Sequence, residues 1–243
     1  RKSTFTAGKP YSKLRLGYNY NKVTKALNEY YYESESTSTH CRQIGSYGRK
    51  TGINGISDLD MAFELPKGTY DKFNAYSSGG QSALLQDVKK AIQNVYDYDQ
   101  GKADGQIVGI DLAGSRIEVL PTFYLETNEH GALDYDIYTF PDTNDGGRWR
   151  RTKPKLEIEE TRNLNNEYGN DTYRHLCRMV RAWKNHVGAK CSGLWIDTLS
   201  YNFLKQSEIY KDISYKNYGE LVKDFFKYLS DQYDLTPDQK IWK

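Results

Sequence analysis

Asp58-Leu59-Asp60-Met61-Ala62-Phe63-Glu64-Leu65 carries apolar side chains at every second position: Leu59, Met61, Phe63 and Leu65. Side chains on a strand alternate faces, so this spacing predicts a strand with that set turned to a core. Asp58 and Asp60 then share the opposite face, about 6–7 Å apart along the strand. Two adjacent carboxylates repel each other, which calls for a cation beside them. Their hard oxygens suit Mg²⁺. A pair of such ions, about 3.5–4 Å apart, needs at least one more carboxylate. Arg116-Ile117-Glu118-Val119-Leu120-Pro121 offers one, with Glu118 facing away from Ile117 and Val119 on a neighbouring strand. An Asp-x-Asp by itself is an ordinary solvated strand face. The context upstream changes its weight: Gly45-Ser46 precedes the pair by a short Gly-rich segment. Glycine lets a backbone approach a phosphate closely, and successive N–H groups with a Ser hydroxyl make an anion cradle.

Working outward, residues 19–33 read as a helix, with Val23, Leu27 and Tyr30/Tyr31 recurring at helical spacing and the Ser34–Thr39 cluster ending it. Residues 81–95 read as a second helix, with Leu84, Leu85, Val88, Ile92 and Val95 on one face. Strands are expected near 106–112 and 116–124. Turn signals crowd residues 141–154, which read as a linker between lobes. Helices follow at 172–187, 193–205 and 217–230. The order of helix, mixed sheet and helices predicts an α+β fold in two lobes. A catalytic lobe with its N-terminal helix takes residues 1–150, and a helical nucleotide-binding lobe takes 151–243, with the active site in the cleft.

Composition narrows the partners. The formal net charge is only +2, whereas an extended nucleic-acid duplex calls for a stronger basic excess. No apolar run is long enough to span a membrane. The three cysteines form no disulfide framework, which favours the cytoplasm. Tyrosines number 22 against 8 phenylalanines, so many are expected half-exposed, lining grooves with wet hydroxyls. No signal peptide is visible, and the chain starts at Arg1 without a Met.

"GSYGRKTGINGISDLDM" resembles the Gly-Ser…Asp-x-Asp motif of the polymerase-β-like superfamily. More closely, it resembles the bacterial cGAS/DncV-like nucleotidyltransferases (CD-NTases). "VTKALNEYY", "GQSALLQDVKKAI", "IEVLP", "PDTNDGGRW", "LCRMVRAWK" and "GLWIDTLSYNFL" resemble that family in the same order, over nearly the whole chain from about residue 18. The resemblance implies a bilobal nucleotidyltransferase that joins NTPs, ATP among them, into a cyclic di- or trinucleotide with release of pyrophosphate. The product would be a diffusible second messenger acting on a downstream effector in anti-phage defence. Asp58, Asp60 and Glu118 would be the catalytic and metal-holding residues for two Mg²⁺ ions, with Mn²⁺ able to substitute. Glu118 stands where many relatives carry Asp, so its reach differs by one methylene. The family pattern continues past Trp242, which implies a helical lobe that is C-terminally incomplete here.

The resemblance also extends to nucleotide contacts at Gly45, Ser46 and Arg49. On residues 172–187, Leu176, Met179, Val180, Trp183 and Val187 share one helix face, with Arg174, Arg178 and Arg181 opposite and Lys184 on the flank. In related enzymes basic residues of this helix reach the triphosphate, so Arg181 and Lys184 are the candidates, with Ser192 at the next turn. Gln43, Tyr47 and Tyr201 are candidates for base contacts. His175, Cys177, His186 and Cys191 make a poor zinc set. His175 and Cys177 point about 200° apart on a helix, and Cys177 should be half-buried beside Leu176. His40 and His130 read as isolated surface residues. Two other activities fit the same residues: transfer of a nucleotide to an RNA end or a protein, and NTP binding without turnover.

Overall fold

The computed structural model describes residues 10–53, 58–93, 101–112, 115–128 and 130–233. Its elements are α1 (Pro10–Tyr32), β1 (Cys41–Gln43), α2 (Gly45–Arg49), β2 (Asp58–Glu64), α3 (Lys67–Asn74), α4 (Gly80–Gln93), β3 (Gly101–Asp104), β4 (Ile107–Leu112), β5 (Ser115–Thr122), β6 (Tyr138–Asp142), β7 (Arg148–Thr152), α5 (Pro154–Tyr168), α6 (Thr172–Val187), α7 (Gly193–Lys205) and α8 (Tyr218–Tyr233). Contacts gather the chain into two units. One is Arg1–Gly48 with Asn54–Leu156; the other is Arg49–Ile53 with Glu157–Lys243.

The first unit is built on a five-stranded sheet in the order β1-β2-β5-β4-β3. β2 and β5 run parallel, and the other neighbours are antiparallel, so the sheet is mixed. The expected alternation holds on β2: Leu59, Met61 and Phe63 are buried, while Asp58 is exposed and Asp60 partly so. The apolar set packs with Val23 and Leu27 of α1, with Leu84, Leu85, Val88 and Ile92 of α4, and with Ile117 and Val119 of β5. Val95, expected on the α4 face, lies outside the described residues. α1 starts earlier than its apolar period indicated. Its end is fixed by Asn28, which donates to the carbonyls of Ser36 and Thr39 at 3.0 Å each. That asparagine also holds His40, whose Nδ1 is 2.7 Å from Asn28 Oδ1. The His40 ring stacks on Tyr32 with centroids 3.7 Å apart, so His40 is a packed residue rather than an isolated surface one. His130 is exposed.

Residues 141–154 are not a linker. β6 and β7 pair there as an antiparallel hairpin, Asp142 opposite Arg148. The turn signals were real, and they close the hairpin: Asp145, Gly146 and Gly147 all take positive φ. Asp142 is 1% exposed and anchors the turn. It accepts the Asn144 backbone N–H at 3.1 Å and the Asn144 side-chain amide at 2.8 Å.

The second unit is helical, with a core of Leu164, Tyr173, Leu176, Cys177, Val180, Ile196, Leu199, Phe203, Leu221 and Phe225. Tyrosines go deeper than their half-polar character suggested. Tyr168 and Tyr173 are essentially buried because their hydroxyls find carbonyls inside: Tyr168 donates to Leu204 and Ser207, and Tyr173 donates to Asp197. Among the described residues no helix is long and apolar enough to cross a membrane.

Phe63 is 1% exposed in the core under the acidic face. Phe63→Ala should destabilise the fold by roughly 3–5 kcal/mol, read as a lower urea midpoint at an unchanged m-value.

Candidate active site

The site starts from strand register. β2 and β5 pair so that Asp58 lies beside Arg116, and Asp60 beside Glu118. Neighbouring strands stand about 4.8 Å apart, so Asp60 and Glu118 share one face of the sheet as nearest cross-strand neighbours. The carboxylate on a later strand is thus where the sequence put it.

β1 delivers Gly45 to the same place. Ile44 N–H donates to the Asp60 carbonyl at 3.0 Å. The chain then turns through Gly45 at φ +59 into α2, which is a short helix where a flexible Gly-rich approach was expected. A Cβ on Gly45 would sit 1.9 Å from Asp60 Oδ2. Glycine is therefore required twice here, by the left-handed backbone and by the carboxylate pressed against it. Ser46 follows in the first turn of α2, half-buried. Tyr47 senses the same acidic face: burial first, and then the charge of Asp58, push its hydroxyl above the usual tyrosine range. Gln43 is exposed at the end of β1.

Arg116 was not anticipated as part of this site. Its Nε donates to Glu118 Oε1 at 2.9 Å, and its Nη1 donates to both oxygens of Asp111 at 2.8 Å. Hydrogen bonding to Glu118 first, and to Asp111 second, holds the guanidinium above its ordinary range. The carboxylate repulsion that called for a cation is answered in part by this side chain. An available sequence signal was its spacing, since residues two apart on a strand share a face. The donor set Asp58, Asp60 and Glu118 has the all-oxygen chemistry that fits a hard divalent cation. Glu118 is turned onto Arg116, however. Among the described residues no group of three or more His, Cys, Asp or Glu is gathered to hold a metal as it stands.

The expected basic residues of the second unit are placed differently. Arg181 is not on a solvated helix face: it is 6% exposed. The buried arc of α6 is turned toward Tyr173 and Cys177, both fully buried, leaving Trp183 and Val187 exposed at 42% and 51%. A Tyr and a Cys won the core side over a Trp and a Val. His175 is used by Tyr218, with its Nδ1 2.7 Å from that hydroxyl. Arg49 and Arg181 converge on one carboxylate, Asp197, at 2.8 and 2.7 Å, and Thr51 donates to it at 2.8 Å. Arg49 also reaches Glu157 at 3.2 Å. Burial opposes the Arg49 charge, but Asp197 more than offsets it, so its pKa rises. Arg178 donates to the Lys50 carbonyl at 2.7 Å. Lys184 is half-buried and has no ion-pair partner among the described residues. Ser192 caps α7, accepting Trp195 N–H at 3.1 Å. Tyr201 donates to Glu160 at 3.0 Å. Sequence reasoning missed Asp197. Its signal was a lone acid in the otherwise apolar run Gly193-Leu194-Trp195-Ile196-Asp197-Thr198-Leu199.

A mixed sheet flanked by helices, with carboxylates on adjacent parallel strands beside a Gly-Ser turn, defines the polymerase-β-like nucleotidyltransferase class. Residues 11–165 match the model of the Second Messenger Oligonucleotide or Dinucleotide Synthetase domain. The chain belongs to that family, the bacterial cGAS-like cyclic nucleotide synthases. Solved structures share the fold at low identity. The CdnE cyclic dinucleotide synthase of Elizabethkingia meningoseptica with GTP and Apcpp aligns at TM-score 0.64 and 16% identity, over 89% of this chain and 78% of that one. CdnC of Escherichia coli MS115-1, in its complex with HORMA-deltaN, aligns at 0.66 and 15%, over 96% and 71%. The Vibrio cholerae DncV cyclic AMP-GMP synthase aligns at 0.57 and 17%, over 79% and 50%. Among curated proteins the sequence finds no match.

Gly45→Ala forces a Cβ into Asp60 and should lower stability by roughly 1–3 kcal/mol. Gly68→Ala, with open space around it in α3, should be neutral or slightly stabilising; paired thermal melts compare the two. Asp197→Ala strands two buried guanidiniums and should cost roughly 3–5 kcal/mol in chemical denaturation.

Proposed function

We propose that this protein joins NTPs, ATP among them, into a cyclic di- or trinucleotide and releases pyrophosphate. The observation that carries the reading is the placement of Asp60 beside Glu118 on parallel strands, with Gly45 against the Asp60 carboxylate. Cyclic oligonucleotide synthesis is the activity of the family. The neighbour solved with GTP and Apcpp, and the Rhodothermus marinus c-UMP-AMP synthase solved with Apcpp and Upnpp, support nucleotide substrates for the shared fold.

In this reading Asp58, Asp60 and Glu118 hold two Mg²⁺ ions, for which Mn²⁺ can substitute. Such ions, when bound, supply Lewis-acid activation of the acceptor ribose hydroxyl and charge neutralisation at the leaving pyrophosphate. Asp60 or Glu118 takes part in orienting that hydroxyl and accepting its proton. Gly45 and Ser46 offer backbone and hydroxyl donors to the triphosphate. Residues 1–150 form the catalytic lobe, and 151–243 contribute nucleotide contacts. Lys184 is the candidate cation there; it is half-buried and not committed to an ion pair among the described residues. Gln43, Ser192 and Tyr201 are candidates for finer contacts. Arg49 and Arg181 contribute by holding Asp197 rather than by presenting themselves to phosphate. The product would diffuse in a bacterial cytoplasm to an effector in anti-phage signalling. An extended duplex is not the expected partner, since it would call for a stronger basic excess than a net charge of +2.

The decisive measurement is chromatography with mass spectrometry after incubation with all four NTPs and Mg²⁺ or Mn²⁺. A phosphatase-resistant oligonucleotide is expected, reduced roughly 10²-fold or more by Asp58→Asn or Asp60→Asn. Label retained on a polymer would instead indicate transfer to a macromolecule. NTP-dependent thermal stabilisation without any product would indicate a binding module.

A further inference from the structure

The third carboxylate is already engaged. Glu118 accepts Arg116 Nε at 2.9 Å, and Asp111 takes the other side of the same guanidinium through two 2.8 Å bonds. This clamp is built by register. Arg116 and Glu118 stand two apart on β5 and share a face. Across the β4–β5 ladder, Asp111 pairs with Arg116 and Gly109 pairs with Glu118. Gly109 leaves the space through which the guanidinium crosses to Glu118: a Cβ there would sit 2.2 Å from Arg116 Nη2 and 2.8 Å from its Cζ. Three separate positions are thus fitted to one side-chain path.

We infer that Arg116 is a positioning residue that serves as an internal counter-cation for Glu118 and sets the affinity of the site for divalent metal. The inference rests on the reading of Asp58, Asp60 and Glu118 as metal ligands. Its physical basis is competition. One guanidinium neutralises one of the carboxylates that would otherwise sit together on the sheet face, and it must release Glu118 before that oxygen can join a metal. The clamp is only partly shielded, with Arg116 and Glu118 side chains 28% and 29% exposed. An ion pair at that exposure is weak, so a doubly charged ion displaces it while still working against it. The arrangement tempers the repulsion around Glu118, and it makes occupancy depend on metal concentration.

The test is Mn²⁺ binding to the full chain without nucleotide, followed by the electron paramagnetic resonance signal of free Mn²⁺. Arg116→Gln should bind Mn²⁺ roughly three- to tenfold more tightly than the parent. Gly109→Ala, which blocks the guanidinium's path without touching a charge, should shift affinity in the same direction. Arg116→Lys restores a cation and should return the affinity toward the parent value. A purely structural role for Arg116 would lower the melting temperature of Arg116→Gln without tightening the metal. Unchanged affinity in Arg116→Gln and Gly109→Ala, with binding lost in Asp60→Asn, overturns the counter-cation and leaves the metal-ligand reading standing. Mn²⁺ binding that is indifferent to Asp60→Asn overturns both.

Discussion

The hydrogen-bonded register between β2 and β5 sets Asp60 beside Glu118, and the apolar side of the same ladder enforces it. Leu59, Met61, Ile117 and Val119 are all essentially buried on the opposite face. Sliding β5 by one residue would turn its whole pattern over. Glu118 would enter the core, and Ile117 and Val119 would face water. The cost of burying an unpaired carboxylate is several kcal/mol, added to the loss of two apolar side chains from the core at roughly 1.5–3 kcal/mol each. A core that merely packs efficiently thereby fixes the acidic face to within one residue. Gly45 adds a second constraint, because only a residue without Cβ lets β1 end against the Asp60 carboxylate.

Much of this was legible because it depends on local period. The two-residue alternation of Asp58–Leu65 and of Arg116–Leu120 shows which side chains share a face, and the folded strands keep it. The spans of α6 and α7 also follow their apolar period. What the residues did not disclose depends on long-range pairing. Arg116 becomes a clamp only because β4 presents Asp111 and Gly109 at matching register, and no local pattern states that register. The β6–β7 hairpin was hidden by its own turn residues, whose positive φ values suit a tight reversal as well as a linker. On α6 the period was right and the phase was off. Cys177, expected half-buried, is fully buried together with Tyr173, which rotates the buried arc and carries Arg181 in with it.

That rotation bears on which cations can meet a phosphate. Arg49 and Arg181 look from the sequence like a pair of phosphate-binding arginines. In the folded unit both are buried against Asp197, which is itself 1% exposed. Withdrawing either one would break a short, charge-assisted hydrogen bond to a buried carboxylate, which costs free energy even though the other arginine and Thr51 stay in place. A phosphate contact made outside would have to exceed that before contributing any affinity. The two arginines therefore serve better as fixed points: with Thr51, they tie the Arg49–Ile53 segment to α6 and α7.

The two units treat charge in opposite ways, and burial explains the difference. Asp197 is enclosed, and it is matched by two guanidiniums and a hydroxyl that occupy both of its oxygens. The carboxylates on β2 and β5 are partly exposed, so water screens their repulsion and a single Arg116 suffices to hold Glu118. An enclosed ion cluster whose carboxylate is held from both oxygens makes a rigid fastening. A half-open face keeps its carboxylate oxygens within reach of solvent and solutes, and this accessibility is the physical reason the proposed chemistry is assigned to the sheet rather than to the arginine cluster.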